Sequence, residues 1–388
     1  MRVLRVHNFY QNPGGEDQSF ASESALLESH GVTVIRYTLH NDAINQMGRL
    51  EVAGRTLWNP ASYRDIRALI RREQPDLVHF DNTFPLVSPS AYYAARAEGR
   101  PVVQALRNHR LSCLNAYLLR EGIECERCIG KLTPWPGVVH ACYRNNRAAS
   151  ATVAAMLTIH RLIGTYHRIV DCYIAQSEFN RQKFISAGYP EQKVAVKPNF
   201  VARDYGIGDG SGGYALFVGR LSEEKGIHTL LQAWPQLSPR IPLMIIGDGP
   251  LNPLVAQLAE RYPEQVIMRG WCPPESVIAA MQSARILVFP SLWNEGFGRV
   301  VAESYMAGTP VVASAMGSIA EIVQSGETGG LFRPGDPQDL VRQAQKIVTL
   351  SEEAYQQLRR NARAYYEKRF TPSANLAMLL RIYQGLLA

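Results

Sequence analysis

Short apolar runs alternate with helical stretches along almost the whole chain, and that alternation restricts it to parallel βαβ units. In the first half the strand-like runs fall at residues 3–6, 33–37, 77–80, 101–106, 170–177 and 194–199. A polar, glycine-rich stretch at 203–213 then breaks the pattern and reads as a linker. A second alternating unit runs from Tyr214 to about residue 350, and residues 371–388 read as a closing helix. At 388 residues, two domains are the default. The expected class is α/β with two parallel-sheet domains.

Composition removes several alternatives. Apolar residues make up 46% and charged residues 19%, which fits a globular protein with a sizeable core. No run of 18 apolar residues occurs, so no transmembrane helix is expected. The opening Met-Arg-Val-Leu-Arg-Val-His-Asn-Phe reads as a first strand rather than a signal peptide, so the expected location is cytoplasmic. Residues 1–200 hold 24 Lys and Arg against 17 Asp and Glu, whereas 201–388 hold 17 of each. The whole net charge of +7 therefore sits in the first half. It suits either a solvated basic face or a surface for anionic lipid head groups, with peripheral contact at the inner face of a membrane. No nucleic-acid-binding module appears, so no nucleic-acid partner is expected.

Two constellations in the second half carry chemistry. Glu295 and Glu303 lie in Pro-Ser-Leu-Trp-Asn-Glu-Gly-Phe-Gly-Arg-Val-Val-Ala-Glu, residues 290–303, after the apolar run 285–290. One carboxylate falls at the carboxyl end of a buried strand and the other about two turns on, along the following helix. Ligands of open α/β sheets bind in that crevice. Arg220 and Lys225 lie in Gly-Arg-Leu-Ser-Glu-Glu-Lys-Gly, residues 219–226, where a strand passes into a helix. Two cations there can neutralise a diphosphate. Hydroxyl-binding carboxylates beside phosphate-binding cations suit a nucleotide-sugar.

At these residues the chain resembles the retaining glycosyltransferases of family 4, of GT-B fold. The matching positions are Gly219, Arg220, Lys225, Gly-Asp-Gly-Pro at 247–250, the Glu295 to Glu303 pair, Ala-Gly-Thr-Pro-Val-Val-Ala at 307–313, and Gly-Ser-Ile-Ala-Glu at 317–321. The resemblance implies two Rossmann-like domains facing across a cleft. An acceptor-binding domain would span 1–202 and a linker 203–213. A nucleotide-sugar-binding domain would span 214–365, and a helix at 366–388 would cross back to the first domain. Arg220 and Lys225 would hold the diphosphate, Glu295 sugar hydroxyls and Glu303 ribose hydroxyls. Gly219, Gly249, Phe297 and Gly298 would border the donor, with the backbone of Phe297 and Gly298 facing the phosphates. The donor would be a UDP- or GDP-sugar, and the acceptor a lipid-linked or glycan intermediate. The chemistry would be hexosyl transfer with retention. No Asp-x-Asp stands in a fitting context, so no catalytic metal is expected. Two alternatives stay open: a nucleotide-sugar epimerase on the same fold, and an inactive GT-B scaffold serving as a partner subunit.

Four features of the first half complete the reading. Gly14-Gly15 after the first strand resembles the glycine loop through which the family lets phosphate approach the backbone. In Ala-Leu-Arg-Asn-His-Arg-Leu-Ser-Cys, residues 105–113, relatives often read Leu-His-Asn-Tyr-Arg-Leu-x-Cys. The family histidine thus falls on Arg107, and either His109 takes its role or Arg107 supplies a cation. Cys113-x11-Cys125-x2-Cys128-x13-Cys142 matches a structural four-thiolate zinc site, inside an insert at 111–147 that lacks an obvious core. The same four positions resemble a cysteine pattern of a family 4 subgroup. Finally, Met156, Leu157, Ile159, Leu162 and Ile163 recur at helical spacing, as a core stripe or an interfacial membrane helix.

Overall fold

The computed structural model describes every residue except Pro13 and Pro239. Strands β1 (Arg2–Phe9), β2 (Thr33–His40), β3 (Leu77–Asn82) and β4 (Val102–Leu106) belong to a first sheet. The two-residue strands β5 (Leu119–Arg120) and β6 (Ile123–Glu124) pair separately, and β7 (Cys172–Ala175) and β8 (Val194–Val196) complete the first sheet. Its order is β2-β1-β3-β4-β7-β8, and the paired strands are parallel. A second parallel sheet holds β9 (Ala215–Val218), β10 (Leu243–Ile246), β11 (Val266–Gly270), β12 (Ile286–Phe289), β13 (Val311–Ser314) and β14 (Gly329–Phe332). Its order is β11-β10-β9-β12-β13-β14.

Both sheets are doubly wound α/β structures, and each has one point where the strand order reverses. That point lies between β1 and β3 in the first sheet and between β9 and β12 in the second, and it is where such sheets open a crevice for ligands. The central strands are covered on both faces, so they read as apolar runs without alternation. β3, β4 and β13 are buried at every residue.

The chain divides into two units. The first comprises Met1–Arg120, Cys125–Lys197 and Leu376–Ala388; the second comprises Glu121–Glu124 and Pro198–Asn375. The first has one core, built around Leu4, Val6, Phe80, Tyr92 and Leu157. The second has a core on each face of its sheet, one around Tyr305 and Phe289 and one around Trp234 and Ile245. The last helix, Pro372–Leu387, places Tyr383 in the first unit, where its hydroxyl meets His79 Nδ1 at 2.6 Å. Among the described residues no helix is long and apolar enough to cross a membrane.

The segment expected as a linker, 203–213, is a packed part of the second unit. The amides of Gly208, Gly210 and Gly212 donate to the carbonyls of Ala307, Gln282 and Ser283 at 3.0, 3.0 and 2.8 Å. Arg363 clasps Asp204 at 2.6 Å. Its glycines serve contact rather than flexibility: a Cβ on Gly208 would stand 2.0 Å from the Gln282 carbonyl oxygen. The expected interfacial stripe is divided as well. Met156 and Leu157 are buried in the core, while Ile159, Leu162 and Ile163 are exposed.

Candidate functional site

The reversal point of the second sheet holds a pocket bordered by Gly219, Arg220, Lys225, Pro290, Ser291, Glu295, Gly298, Arg299 and Val300. It opens where β9 and β12 end. The turn after β9 is fixed by glycine: Gly226 has φ +71°, and a Cβ there would lie 1.8 Å from the Pro290 carbonyl oxygen. Only glycine lets the two turns touch so closely. The amide of Leu292 donates to the Glu224 carbonyl at 2.8 Å. That stitching sets Lys225 against Glu295.

Glu295 is held by three donors on a single oxygen. Its Oε1 accepts from Lys225 Nζ, from Trp293 Nε1 at 2.6 Å and from Ser291 Oγ at 3.1 Å. The Lys225 ammonium also lies 5.1 Å from the Trp293 ring centre, within cation–π range. Trp293 and Ser291 are functional partners that the motif reading passed over. Arg220 is exposed, and among the described residues its guanidinium has no side-chain partner. Gly298 begins the helix Arg299–Met306, on which Glu303 lies one turn from Arg299. Arg299 Nε donates to Glu303 Oε1 at 2.8 Å, and burial pushes the Glu303 carboxyl up.

Arg220, Lys225, Glu295, Gly219 and Gly298 thus share one pocket, with Glu303 tied to its rim through Arg299. Two further predicted residues lie in close packing. Phe297 is buried, edge-on to Phe370 at 5.2 Å, so its side chain anchors the loop in the core. Gly249 lies against the backbone of Leu221, whose oxygen would be 2.5 Å from an added Cβ.

In the first unit Arg107 is occupied inside the fold. Its Nη2 pairs with Glu23 Oε2 at 2.9 Å and Asp81 Oδ1 at 3.1 Å. Arg5 Nη2 meets the same two carboxylates, and Lys197 Nζ meets Glu23 Oε1, both at distances of full ion pairs. All five side chains are almost wholly inaccessible to water. Burial pushes the Glu23 carboxyl up, but Lys197, Arg107 and Arg5 together hold it well below its ordinary range. Against the same effect of burial, Arg5 holds Asp81 down at about 2. His79 is neutral, pushed down to about 3 by burial and by Arg5. Glu23, His79 and Asp81 stand close enough to bind a metal ion, but three cations already fill that role.

His109, one of the two alternatives for the role of the family histidine, is a core residue. It is 4% exposed and stacks 5.5 Å from Phe184, and burial lowers its imidazole to about 4. Gly14 and Gly15 have open space around them: a Cβ on either would meet nothing within 4 Å. Beside them is a group that the sequence reading missed. Glu16 accepts from Tyr10 Oη at 2.9 Å and from Asn108 Nδ2 at 2.6 Å, and burial raises its carboxyl. A second opening of the first unit is bordered by Asp81, Thr83, Gln104, Arg107, Asn108 and Arg110, at the ends of β3 and β4.

Cys113, Cys125, Cys128 and Cys142 border one small cavity together with Arg120, Arg127 and His140. All four are free thiols. No three of their sulfurs fall within 4.8 Å of one another. Burial, then the neighbouring thiols led by Cys113, pushes Cys128 up to about 11.

Residues 209–365 match the family described as glycosyl transferases group 1, and residues 24–205 match glycosyltransferase family 4. D-rhamnosyltransferase WbpZ of Pseudomonas aeruginosa is 34% identical over 161 residues, 41% of this chain and 42% of that protein. Phosphatidyl-myo-inositol mannosyltransferase of Mycobacterium tuberculosis is 37% identical over 129 residues, 32% of this chain and 34% of that one. The matched stretches thus span less than half the length of either relative. Among solved structures, HepE of Anabaena in complex with UDP superposes with a TM-score of 0.69 at 19% identity, covering 99% of this chain and 100% of that one. That likeness shows the fold, GT-B. With both units matched, each by its own family model, the chain belongs to the family 4 glycosyltransferases.

Proposed function

We propose that this protein transfers a hexose-type sugar, with retention, from a nucleoside-diphosphate sugar to a lipid-linked or glycan acceptor. The observation that carries the reading is the pocket at the end of β9 and β12, where Arg220 and Lys225 converge with Glu295. Relatives and structural neighbours agree in kind: HepE was solved with UDP, and others are named for sugar transfer. Arg220, an exposed cation without an internal partner, suits the diphosphate, and Lys225 adds a second charge to the leaving nucleotide. Such groups stabilise charge that develops in the transition state, each by roughly 3–4 kcal/mol.

Glu295 is a binding group rather than a nucleophile in this reading. An oxygen that accepts three hydrogen bonds, one from an ammonium, has little electron density to donate. Its other oxygen remains for sugar hydroxyls. Retention would then follow front-face attack within an ion pair. Both carboxylates near the pocket are already matched to cations, Glu295 to Lys225 and Glu303 to Arg299. The acceptor is assigned to the first unit, whose excess charge and exposed Ile159, Leu162 and Ile163 favour an anionic lipid surface.

A structural zinc ion is part of the same proposal, though no catalytic step uses it. Four thiols share one cavity, and Arg120 and Arg127 beside it would offset the two negative charges of a four-thiolate zinc centre. Leu111 and Leu114 tie the insert to the core of the first unit, but much of its backbone is strained. Among the described residues, six of the eight non-glycine residues with positive φ lie in it: Ala116, Leu118, Glu121, Ala141, Arg144 and Asn145. Each costs about 1–3 kcal/mol and persists only where its surroundings over-determine it. Ligation would draw the sulfurs inward from their present separations. Metal analysis of protein purified without added zinc, beside Cys125→Ser/Cys128→Ser, tests this; a metal-free, fully stable wild type overturns it.

Transfer itself is tested by thermal shift with UDP-, GDP- and ADP-sugars, then by turnover. One nucleotide should stabilise the protein, and Arg220→Ala should lower turnover by more than about tenfold. Unchanged turnover in that variant with every donor removes its assigned role.

A further inference from the structure

Glu16 is a half-buried carboxylate in the first turn of the helix Gly15–Ser29. A carboxylate withdrawn from water is normally matched by a cation, as Glu23 and Asp81 are in the same unit. Among the described residues no cation pairs with Glu16. Neutral donors hold it instead, one on each oxygen: Tyr10 Oη donates to Oε2 at 2.9 Å and Asn108 Nδ2 to Oε1 at 2.6 Å. Burial raises its carboxyl, and these two hydrogen bonds with the charge of Arg107 offset the rise only in part. Capping of the helix falls to Asp17, whose Oδ2 accepts from the Gly14 amide at 2.9 Å.

Every donor of this network is directed inward. Asn108 Oδ1 accepts from the Arg110 amide at 2.8 Å, which fixes the side-chain amide with Nδ2 toward Glu16. Nδ2 gives one hydrogen to Glu16 and the other to Tyr10 Oη at 3.3 Å, and the Tyr10 hydroxyl gives its own to Glu16. What is left to offer is lone pairs: an ionised carboxylate has roughly four acceptor sites, and two are taken. Such a face selects a ligand that donates, and it repels phosphate. An ammonium would also donate, but the positive charges of Arg107 and Arg110 act on the same network. Neutral hydroxyls are the class that remains. Asn108 also borders the opening at the ends of β3 and β4, beside Thr83, Phe84 and Gln104, so a ligand there meets the network directly.

We propose that Glu16 is an acceptor-binding residue that takes hydroxyls of a sugar ring, so that the acceptor is recognised through a glycan and not through a phosphate. This rests on the reading of the first unit as the acceptor side of a sugar transferase. Tyr10 and Asn108 are positioning residues, which hold one oxygen each and leave both able to accept. Vicinal hydroxyls of a sugar ring match a carboxylate presented in this way. The assignment is the same for a free glycan and for one carried on a lipid.

The test is saturation-transfer NMR on the full chain, with the methyl α- and β-glycosides of glucose, galactose, mannose and N-acetylglucosamine, and with glycerol 1-phosphate. At least one glycoside should bind wild type, and glycerol 1-phosphate should not. Glu16→Gln should weaken that glycoside about tenfold, the loss of one charged hydrogen bond, and the milder Tyr10→Phe about threefold. Binding of no glycoside overturns the proposal, as does equal binding by wild type and Glu16→Gln, or binding of glycerol 1-phosphate alone. A glycoside lost in Glu295→Gln but kept in Glu16→Gln would belong to the other pocket and would overturn it too. Titration of UDP, GDP and ADP into the same samples separates the two levels. If no nucleotide binds wild type, the donor-site reading fails, whereas Glu16 as a sugar-binding group stands or falls on the glycosides alone.

Discussion

Gly226→Ala tests how the pocket is built. Gly226 has φ +71°, which costs a residue with a Cβ about 1–2 kcal/mol. The added methyl would also stand 1.8 Å from the Pro290 oxygen and 2.7 Å from its carbonyl carbon. Ordinary contact begins near 3.4 Å, so the two turns must part by about 1.5 Å, and overpacking of this kind costs roughly 1–3 kcal/mol. The sum is about 2–5 kcal/mol. In a unit of this size, 1 kcal/mol moves Tm by about 2–4 °C, so a fall of roughly 4–20 °C is expected.

The functional effect should be larger than the loss of stability suggests. Parting the turns separates Lys225 from Glu295 and breaks the contact between the Leu292 amide and the Glu224 carbonyl. A misplacement of about 1 Å costs on the order of 100-fold in rate. The assays are thermal unfolding and donor turnover, measured well below the lowered Tm. Gly219→Ala is the control: its Cβ would be 3.3 Å from the Phe217 ring, a contact that a small rotation relieves. Wild-type turnover in Gly226→Ala would refute the claim that this contact sets the pocket. An unchanged Tm would refute the steric argument as well.

The ion pairs and buried histidines set three further expectations. Trp293→Phe keeps the ring beneath Lys225 but removes the N–H on Glu295, so kcat/KM should fall by about tenfold; unchanged kinetics would mean that Trp293 does not orient the carboxylate. Glu23→Gln leaves three buried cations facing one carboxylate and should cost about 3–5 kcal/mol by urea unfolding, and a loss below about 1 kcal/mol would contradict the ion-pair assignment. His79 and His109 have folded values of about 3 and about 4 against about 6.5 unfolded. The unfolded chain therefore binds more protons below pH 6.5, and stability should fall by roughly 2 kcal/mol per histidine between pH 6.5 and 5. His79→Gln should remove about half of that slope, and an unaltered slope would show that His79 is protonated in the fold.

The second unit was legible because its site is built from contiguous stretches. Residues 219–226 and 290–303 each run from strand through turn to helix, so order and spacing alone bring Arg220, Lys225 and Glu295 to one end of the sheet. The first unit was not legible in that way. Arg5, Glu23, Asp81, Arg107 and Lys197 come from five separate stretches of the chain, and only tertiary packing joins them. A local signal existed: Arg5 stands between Leu4 and Val6, and His79 between Val78 and Phe80, charged or polar groups inside apolar strands. Alternation puts Arg5, His79 and Asp81 on one face. Which helix covers that face is not written in the strands. The stretch 203–213 misled for a simpler reason, since glycine permits close packing as readily as flexibility.

Arg107 occupies the position where relatives often carry histidine, and the buried charges explain how it is tolerated. Arg5, Arg107 and Lys197 supply three positive charges against two negative ones from Glu23 and Asp81, with His79 neutral. A buried carboxylate stripped of its cations costs several kcal/mol, but neither carboxylate depends on Arg107 alone. Glu23 would keep Arg5 and Lys197, and Asp81 would keep Arg5. Arg107→His with a neutral imidazole would thus leave two cations facing two carboxylates. It should cost no more than about 1–2 kcal/mol, well under Glu23→Gln in the same urea titration. An equal cost for both variants would mean that Arg107 is required to balance the cluster. A small cost would mean that the arginine is not there for stability, leaving its place beside Asn108 and Arg110 at the end of β4 as the reason for it.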